Sequence, residues 1–433
     1  MAKASRYLDV EIVSLGADGL GVARNADAHV RVKGVVPGEA LQVRVAGRRG
    51  RTRFAIPVRW QRVSHRRHEP PCRSFLACGG CTVQQLEPER QLALKDQWLQ
   101  QQLESEGVTP KAMSPAVAGP TLLYRRKARL AARFLASEDE LLLGFRESFS
   151  NKIVRMDGCV VLAEPFSSAF PVLKRTLGAL SVRHAIPQVE LAVGDDRAVA
   201  VVRHLEPLEP ADVDRLWALE ADIGGEVLLQ PRGADSITTL AGTPAALQSY
   251  RIDGFGVSLE FHPNDFVQVN RTINERIVSA AVTALDPRPG ERVLDLFCGL
   301  GNFSLPLARR GARVLGLEAA AGMVNRARHN AERNALAHRA AFEVADLYAD
   351  PITDARSCTR VLLDPPRSGC GPSIAGLADP AIERVVYVSC EPRTLAADAA
   401  SLTRAGYDLS RVGVFDMFPH TAHVETLGVF DRR

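Results

Sequence analysis

The chain has 433 residues, 46% hydrophobic and 24% charged, with a formal net charge of +4. Such a balance fits a water-soluble globular protein of two or three domains and excludes a disordered or fibrous chain. With no 18-residue apolar run and no apolar core in the opening MAKASRYLDVEIV, neither a membrane span nor a secretory leader is expected, and a cytoplasmic location is. Eight cysteines are there expected as ligands, catalysts or core residues, not disulfides.

Charge is unevenly spread. Residues 44–67 hold nine arginines (44, 48, 49, 51, 53, 59, 62, 66 and 67) and no acid, so a total of +4 less nine leaves the rest at −5. A run of this kind suits a phosphate backbone, with Trp60 and Phe54 placed to stack on bases; a solvated basic surface is the plainer alternative.

Taken in order, residues 6–63 alternate apolar and polar side chains in short strands separated by glycine turns, the pattern of a small β-barrel. Val10, Leu15, Asp18-Gly19, Gly21-Val22-Ala23-Arg24, Val30, Val32, Gly34, Val36-Pro37-Gly38-Glu39, Val43 and Val45 resemble the TRAM domain, an OB-like RNA-binding module.

Cys72, Cys78 and Cys81 follow in a C-x5-C-x2-C array around Gly79-Gly80. Thiolates three residues apart across such a turn reach one metal centre. Three ligands are one short, and Cys159 is the nearest fourth. Spacing alone leaves Zn²⁺, an iron–sulfur cluster and no metal all open. Residues 87–107 show helical periodicity through Leu92, Leu94, Trp98, Leu99 and Leu103, and are expected to pack on the catalytic domain. Tyr124 through Arg129 joins one aromatic to four cations, a second candidate RNA contact or else a basic edge strand. Residues 120–255 read as mixed α/β, with strands at 127–135, 141–145, 188–193, 198–202 and 227–230 and a helix over 211–221.

From about residue 256 strands and helices alternate, as in a doubly wound sheet. Strands are predicted at 292–297, 312–317, 341–344, 360–363 and 384–388, helices at 303–310 and 322–335, and a terminal hairpin at 407–417 and 424–430. The division is therefore residues 1–66, 67–255 and 256–433. Asp295-x-Phe297-x-Gly299-x-Gly301-Asn302 lies between strand and helix, with Glu318 ending the next strand, where a carboxylate takes ribose hydroxyls. This turn resembles motif I of class I S-adenosylmethionine methyltransferases. Asp364-Pro365-Pro366-Arg367 ends another strand. Amino-group methyltransferases carry an aromatic where Arg367 stands. RNA cytosine-C5 methyltransferases place a cysteine directly after such a proline, whereas Cys370 comes four residues later.

Residues 385–395, VVYVSCEPRTL, put Cys390 where a buried strand meets a polar turn. That is a place for a nucleophile, although free cysteine is also a common core residue. Phe266-x-Gln268-Val269-Asn270, residues 295–303, Asp364–Arg367 as quoted, Ser389-Cys390-x-Pro392-x-Thr394-Leu395 and Asp416-Met417-Phe418-Pro419-His420-Thr421-x-His423-Val424-Glu425 together resemble the RNA uracil-C5 methyltransferases. The barrel and the four cysteines look like the branch that acts on 23S rRNA, by resemblance at uracil 1939.

The resemblance implies Cys390 as nucleophile and Glu425 as base. It places Gln268, Phe297, Asn302, Glu318, Asp346 and Asp364 around S-adenosylmethionine or the uracil, with Phe266 stacking on a splayed base. It also implies a [4Fe–4S] cluster on Cys72, Cys78, Cys81 and Cys159. The partner is 23S rRNA, with no membrane, and a monomer is expected. Glu391 departs from the family, which has Asn there. The competing expectations are the same chemistry on tRNA or another 23S uracil, or a non-catalytic iron–sulfur RNA-binding protein.

Overall fold

A computed structural model describes residues 7–24, 29–349 and 358–433. Residue 6 and residues 25–28 of the predicted barrel lie outside the described residues.

Five strands close the N-terminal barrel: β1 (Tyr7–Leu15), β2 (Gly21–Arg24), β3 (His29–Val32), β4 (Ala40–Arg49) and β5 (Thr52–Arg62), in the order β1-β2-β3-β5-β4. Side chains alternate across a strand with period two. Val10, Ile12, Val30, Val32, Leu41 and Val43 therefore all point inward, none more than 6% exposed. Closure leaves no free strand edge.

Helix α1 (Pro88–Ser105) follows the cysteine loop. A six-stranded sheet comes next: β6 (Lys127–Leu135), β7 (Glu140–Gly144), β8 (Gln188–Val193), β9 (Ala198–Arg203), β10 (Glu226–Gln230) and β11 (Thr238–Thr239). Its order is β11-β10-β9-β8-β6-β7. Helices α2 (Phe170–Gly178) and α3 (Pro210–Ile223) share its apolar core. Glu209 and Asp212 form a capping box at the start of α3, and Gly224 at φ 59° ends it, since a left-handed residue stops a helix and glycine adopts it freely.

Strands β12 (Gln248–Ile252) and β13 (Val257–Phe261) make a hairpin across residue 256, where the sequence pattern changes. Helix α4 (Arg271–Leu285) follows, capped by Asn270 through Ile273 N–H to Oδ1, 3.3 Å. No helix was predicted there. The signal is nevertheless present, since Ile273, Ile277, Val278, Ala281, Val282 and Leu285 recur at helical spacing and are at most 2% exposed.

The last sheet contains β14 (Arg292–Leu296), β15 (Arg313–Glu318), β16 (Ala340–Val344), β17 (Arg360–Leu363), β18 (Arg384–Ser389), β19 (Tyr407–Phe415) and β20 (Glu425–Arg432). Helices α5 (Ser304–Arg309), α6 (Ala321–Arg333) and α7 (Pro392–Arg404) connect them. The order is β16-β15-β14-β17-β18-β20-β19. The first five strands are parallel, and β20 runs antiparallel between β18 and β19. Parallel strands covered on both faces read as unbroken apolar runs, which is why 384–388 and 360–363 stood out in the sequence.

Helix α1 is not a surface connector. Trp98, Leu99 and Leu103 share one apolar core with Leu395, Ala396 and Ala399 of α7. Leu99 is fully buried there. Leu99→Ala is therefore expected to lower the unfolding free energy by about 2–5 kcal/mol, read from equilibrium denaturation. A change well under 1 kcal/mol, against the roughly 2 kcal/mol minimum for such a cavity, would mean that α1 does not pack there.

Candidate active site

Strands β14 and β17 are neighbours, and the chain order reverses between them. Ligand crevices in open α/β sheets lie at such a switch point, beyond the carboxyl ends of the strands. A cavity of about 870 Å³ opens there, and it is lined by Gln268, Phe297, Asn302, Glu318, Asp346, Asp364, Cys390 and Glu425 alike.

The turn after β14 builds one wall. Phe297 takes φ 61°, Gly299 φ 54° and Gly301 φ 95°. A Cβ on Gly301 would stand 3.3 Å from Leu305 Cγ, so glycine meets both the left-handed backbone and the close packing. Gly299 N–H donates to Glu318 Oε2 (3.3 Å) and Ala320 N–H to Oε1 (3.0 Å), which orients that carboxylate at the cavity. The Asn302 amide is engaged by Tyr250 OH (2.9 Å) and by Asn274 in both directions (3.0 and 2.9 Å). Tyr250 and Asn274 escaped sequence reasoning, as they belong to a hairpin and a helix that were not predicted. Asp346 accepts from Tyr348 N–H (3.0 Å) and Ala349 N–H (3.2 Å). The Tyr348 ring lies 6.1 Å from Phe297.

The other wall comes from β17, β18 and β20. Ser389 pairs with Thr426 across β18 and β20, so Cys390 and Glu425 are the next residues out, side by side at the open end. Thr426 Oγ1 donates to Ser389 O at 3.1 Å and pins that register. Asp364 follows β17, its N–H bonded to Leu296 O at 3.2 Å. Arg367 donates to the His423 ring at 3.1 Å. Phe266 is 71% exposed at the mouth, so it is no core aromatic and is free to stack. Glu391 caps α7, accepting from Arg393 N–H at 3.4 Å. Asparagine is a favoured N-cap, and here the Glu391 carboxylate fills that capping position.

Burial sets the charges. Glu425 is 2% exposed, and burial, with Asp364 beside it, raises its carboxyl well above the usual range; Arg367 opposes this. Burial, then Asp295, raises Asp364 to about 7. The Cys390 thiol is pushed up to about 12 by burial, then by Glu425 and Asp364, while Arg367 pulls it down. A site with its acids this close holds protons until a positive charge arrives.

The four expected ligand cysteines are all free thiols. Cys78 and Cys159 are each 8% exposed. Burial raises Cys81 to about 12, with Cys159, Cys78 and Cys72 adding to it, and Cys159 to about 11, with Cys72 and Cys78 adding. Gly80 N–H donates to Cys78 Sγ at 3.4 Å, and buried Lys33 donates to Cys78 O and to Ser148 Oγ (2.6 Å). Soft thiol donors with N–H groups and an ammonium beside them fit an anionic four-thiolate centre. Among the described residues, no group of three or more His, Cys, Asp or Glu side chains is set as a metal-holding group.

The basic stretches divide by use. Arg48, Arg49, Arg51, Arg59 and Arg66 are exposed on the barrel. Arg67 instead closes a pair with fully buried Glu39 at 2.7 Å and covers Trp60 at 5.0 Å. Phe54 packs on Phe149, centroids 5.1 Å apart. Both half-buried aromatics are engaged within the protein, Trp60 under Arg67 at the barrel and Phe54 against Phe149 outside it. In the second stretch, Tyr124 OH donates to Pro419 O (3.0 Å), Arg126 pairs with Asp195 (2.9 Å) and Lys127 donates to Asp265 O (2.6 Å). Strand β6 lies inside its sheet, although its basic half, Lys127–Leu130, pairs with β8 alone and β7 joins only from Ala131. Arg125 alone of this stretch lines the cavity.

A doubly wound sheet of this order, with a glycine turn and an acidic strand end at its switch point, defines the class I methyltransferase architecture. A family model for tRNA (uracil-5-)-methyltransferases matches residues 245–433. The 23S rRNA (uracil(1939)-C(5))-methyltransferase RlmD of Hahella chejuensis is 40% identical over 432 residues, covering 98% of this chain and 96% of that one. The enzyme of the same name from Alkalilimnicola ehrlichii is 42% identical over 430 residues, with 98% and 96% covered. The crystal structure of Pyrococcus abyssi tRNA (uracil-54, C5)-methyltransferase in complex with S-adenosyl-L-homocysteine shares the fold. It has a TM-score of 0.73 at 24% identity and covers 98% of this chain and 100% of that one. The chain belongs to the RNA uracil-C5 methyltransferase family and is an enzyme.

Thiolate, not thiol, reacts with alkylating agents. With the Cys390 thiol up at about 12, its alkylation by iodoacetamide should climb about tenfold per pH unit from roughly pH 7 to 10. Arg367→Met removes a charge that lowers it, so alkylation should slow at every pH. Site-resolved mass spectrometry reads both, and a rate that levels off near neutrality would contradict the raised thiol.

Proposed function

We propose that this protein transfers a methyl group from S-adenosylmethionine to C5 of one uracil in 23S rRNA, at the position its relatives' names give as 1939. The observation that carries the reading is the register of β18 against β20, which sets a thiol and a buried carboxyl side by side at one cavity.

Uracil C5 is a weak nucleophile. Addition of the Cys390 thiolate to C6 forms an S–C6 bond and moves the C5–C6 electron pair toward O4, so that C5 becomes the nucleophilic carbon of an enolate. S-adenosylmethionine supplies an electrophilic methyl carbon on a sulfonium and leaves as S-adenosylhomocysteine. C5 then carries the methyl group and its original hydrogen. Glu425 takes that proton, the electron pair returns to C5–C6, and the thiolate departs. A carboxylate whose proton affinity is raised by burial is the stronger base for a carbon-bound proton. Arg367 offsets negative charge at Cys390, Asp364 holds the uracil edge, and Phe266 stacks on the extruded base. Glu318 takes the ribose hydroxyls, and Gln268, Phe297, Asn302 and Asp346 complete the cofactor side.

On this reading residues 1–66 form a TRAM-like RNA-binding barrel that uses its exposed arginines. Residues 67–255 hold a [4Fe–4S] cluster on Cys72, Cys78, Cys81 and Cys159, and residues 256–433 carry the chemistry. Such a cluster, when bound, would tie the 72–81 loop to Cys159 and would supply either a structural link or a one-electron centre. The enzyme works as a monomer in the cytoplasm.

Undermodified 23S rRNA with labelled S-adenosylmethionine tests the reading. Cys390→Ala should abolish transfer, and Glu425→Gln should accumulate a covalent protein–RNA complex. Methylation by Cys390→Ala would remove the nucleophile. Faster transfer to tRNA than to 23S fragments would move the same chemistry to tRNA.

A further inference from the structure

The segment between β19 and β20 runs from Asp416 to Val424 and delivers Glu425 to the cavity. It is held by elements far away in sequence. Thr82 and Val83, the two residues after Cys81, both donate backbone N–H bonds to His420 O, at 2.9 and 3.1 Å. Gln91 of α1 accepts from His420 N–H through Oε1 (2.8 Å). Its Nε2 meets His420 Nδ1 (3.1 Å) and Leu86 O (2.8 Å). One turn further along α1, Lys95 pairs with Asp416 at 2.6 Å and donates to Phe418 O at 2.9 Å. Gln91 is 2% and Lys95 1% exposed. His420 itself sits at φ 68°, a conformation a histidine keeps only where its surroundings enforce it.

Gln91, Lys95, Thr82, Val83 and His420 do not line the cavity, yet all of these contacts but the one to Leu86 O end on the segment that carries its base. Phe418, whose carbonyl Lys95 holds, lines the cavity together with Glu425. An amide and an ammonium buried for burial's sake would be a poor choice, since each is costly unless fully bonded. Here each is bonded, Lys95 to this segment alone and Gln91 to it and to Leu86 O.

We infer that Gln91 and Lys95 are positioning residues for Glu425, and that the cysteine loop is clamped into the same arrangement through His420. The proton-removing end of the site is thereby tied to the four-cysteine region. A disturbance of that region reaches the reaction at removal of the C5 proton, after the methyl group has been transferred. The inference rests on the reading of Cys390 and Glu425 given above.

Gln91→Met removes three polar contacts at nearly constant length. With 23S rRNA fragments, kcat should fall by about tenfold or more, as a misplaced catalytic group costs, while KM for RNA stays within about twofold. A covalent protein–RNA complex carrying the transferred methyl should build up at steady state, because elimination waits for the proton to leave. Simple loss of folded protein would lower kcat without that complex. Hydrogen exchange should show the amides of Thr82, Val83 and residues 418–421 losing protection together, with β18 keeping its own.

Normal turnover, a fall in kcat with no complex, or unchanged exchange at Thr82 and Val83 would overturn the inference. If Gln91→Met does not fold, the double variant Lys95→Met/Asp416→Leu decides by the same readouts, since a buried pair replaced by apolar groups of similar size usually leaves the fold intact. Glu425→Gln is the control. If it traps no complex, the reading of the base has failed and not the positioning.

Discussion

Strand β20 runs against β18, and the residue that ends one therefore lies beside the residue that opens the other. Everything at the site follows from that contact. A parallel neighbour would have presented its far end, and the thiol of Cys390 would have no carboxyl next to it. The hydroxyl of Thr426 on the carbonyl of Ser389 and the ladder down to Asp431 fix the pairing. A slip of one residue would turn Glu425 to the opposite face of the sheet.

The same closeness makes the site expensive. Asp295, Asp364 and Glu425 share one buried region, and each has its carboxyl raised chiefly by burial. Arg367 is the cation that opposes this at both Glu425 and Cys390. It reaches them from the turn after Asp364-Pro365-Pro366, which stiff prolines hold at the crevice. Stability is given up here in exchange for groups whose proton affinities match the chemistry.

A second set of contacts joins the ends of the chain. Helix α1, far upstream of the catalytic sheet, packs its apolar face on α7 and turns Gln91 and Lys95 to the segment before β20. Pocket, helix and cysteine loop are thus parts of one arrangement. The barrel joins it through Lys33, whose ammonium bonds the carbonyl of Cys78.

Local pattern determined much of this protein. The strand and helix alternation after residue 256, the glycine turn at Gly299 and Gly301, the four cysteines and the motifs around Cys390 and Glu425 are short-range features, written in spacing and residue type. Even α4 is legible in the helical spacing of apolar residues from Ile273 to Leu285. The order of strands and the antiparallel insertion of β20 were decided only by the tertiary structure, because they depend on which surfaces bury each other. The same holds for Tyr250 and Asn274 behind Asn302, and for the contacts within the protein that engage Trp60, Phe54, Arg126 and Lys127. A sequence states which side chains are apolar or charged; whether a cation faces RNA or a buried carboxylate is settled by the neighbour that folding brings to it.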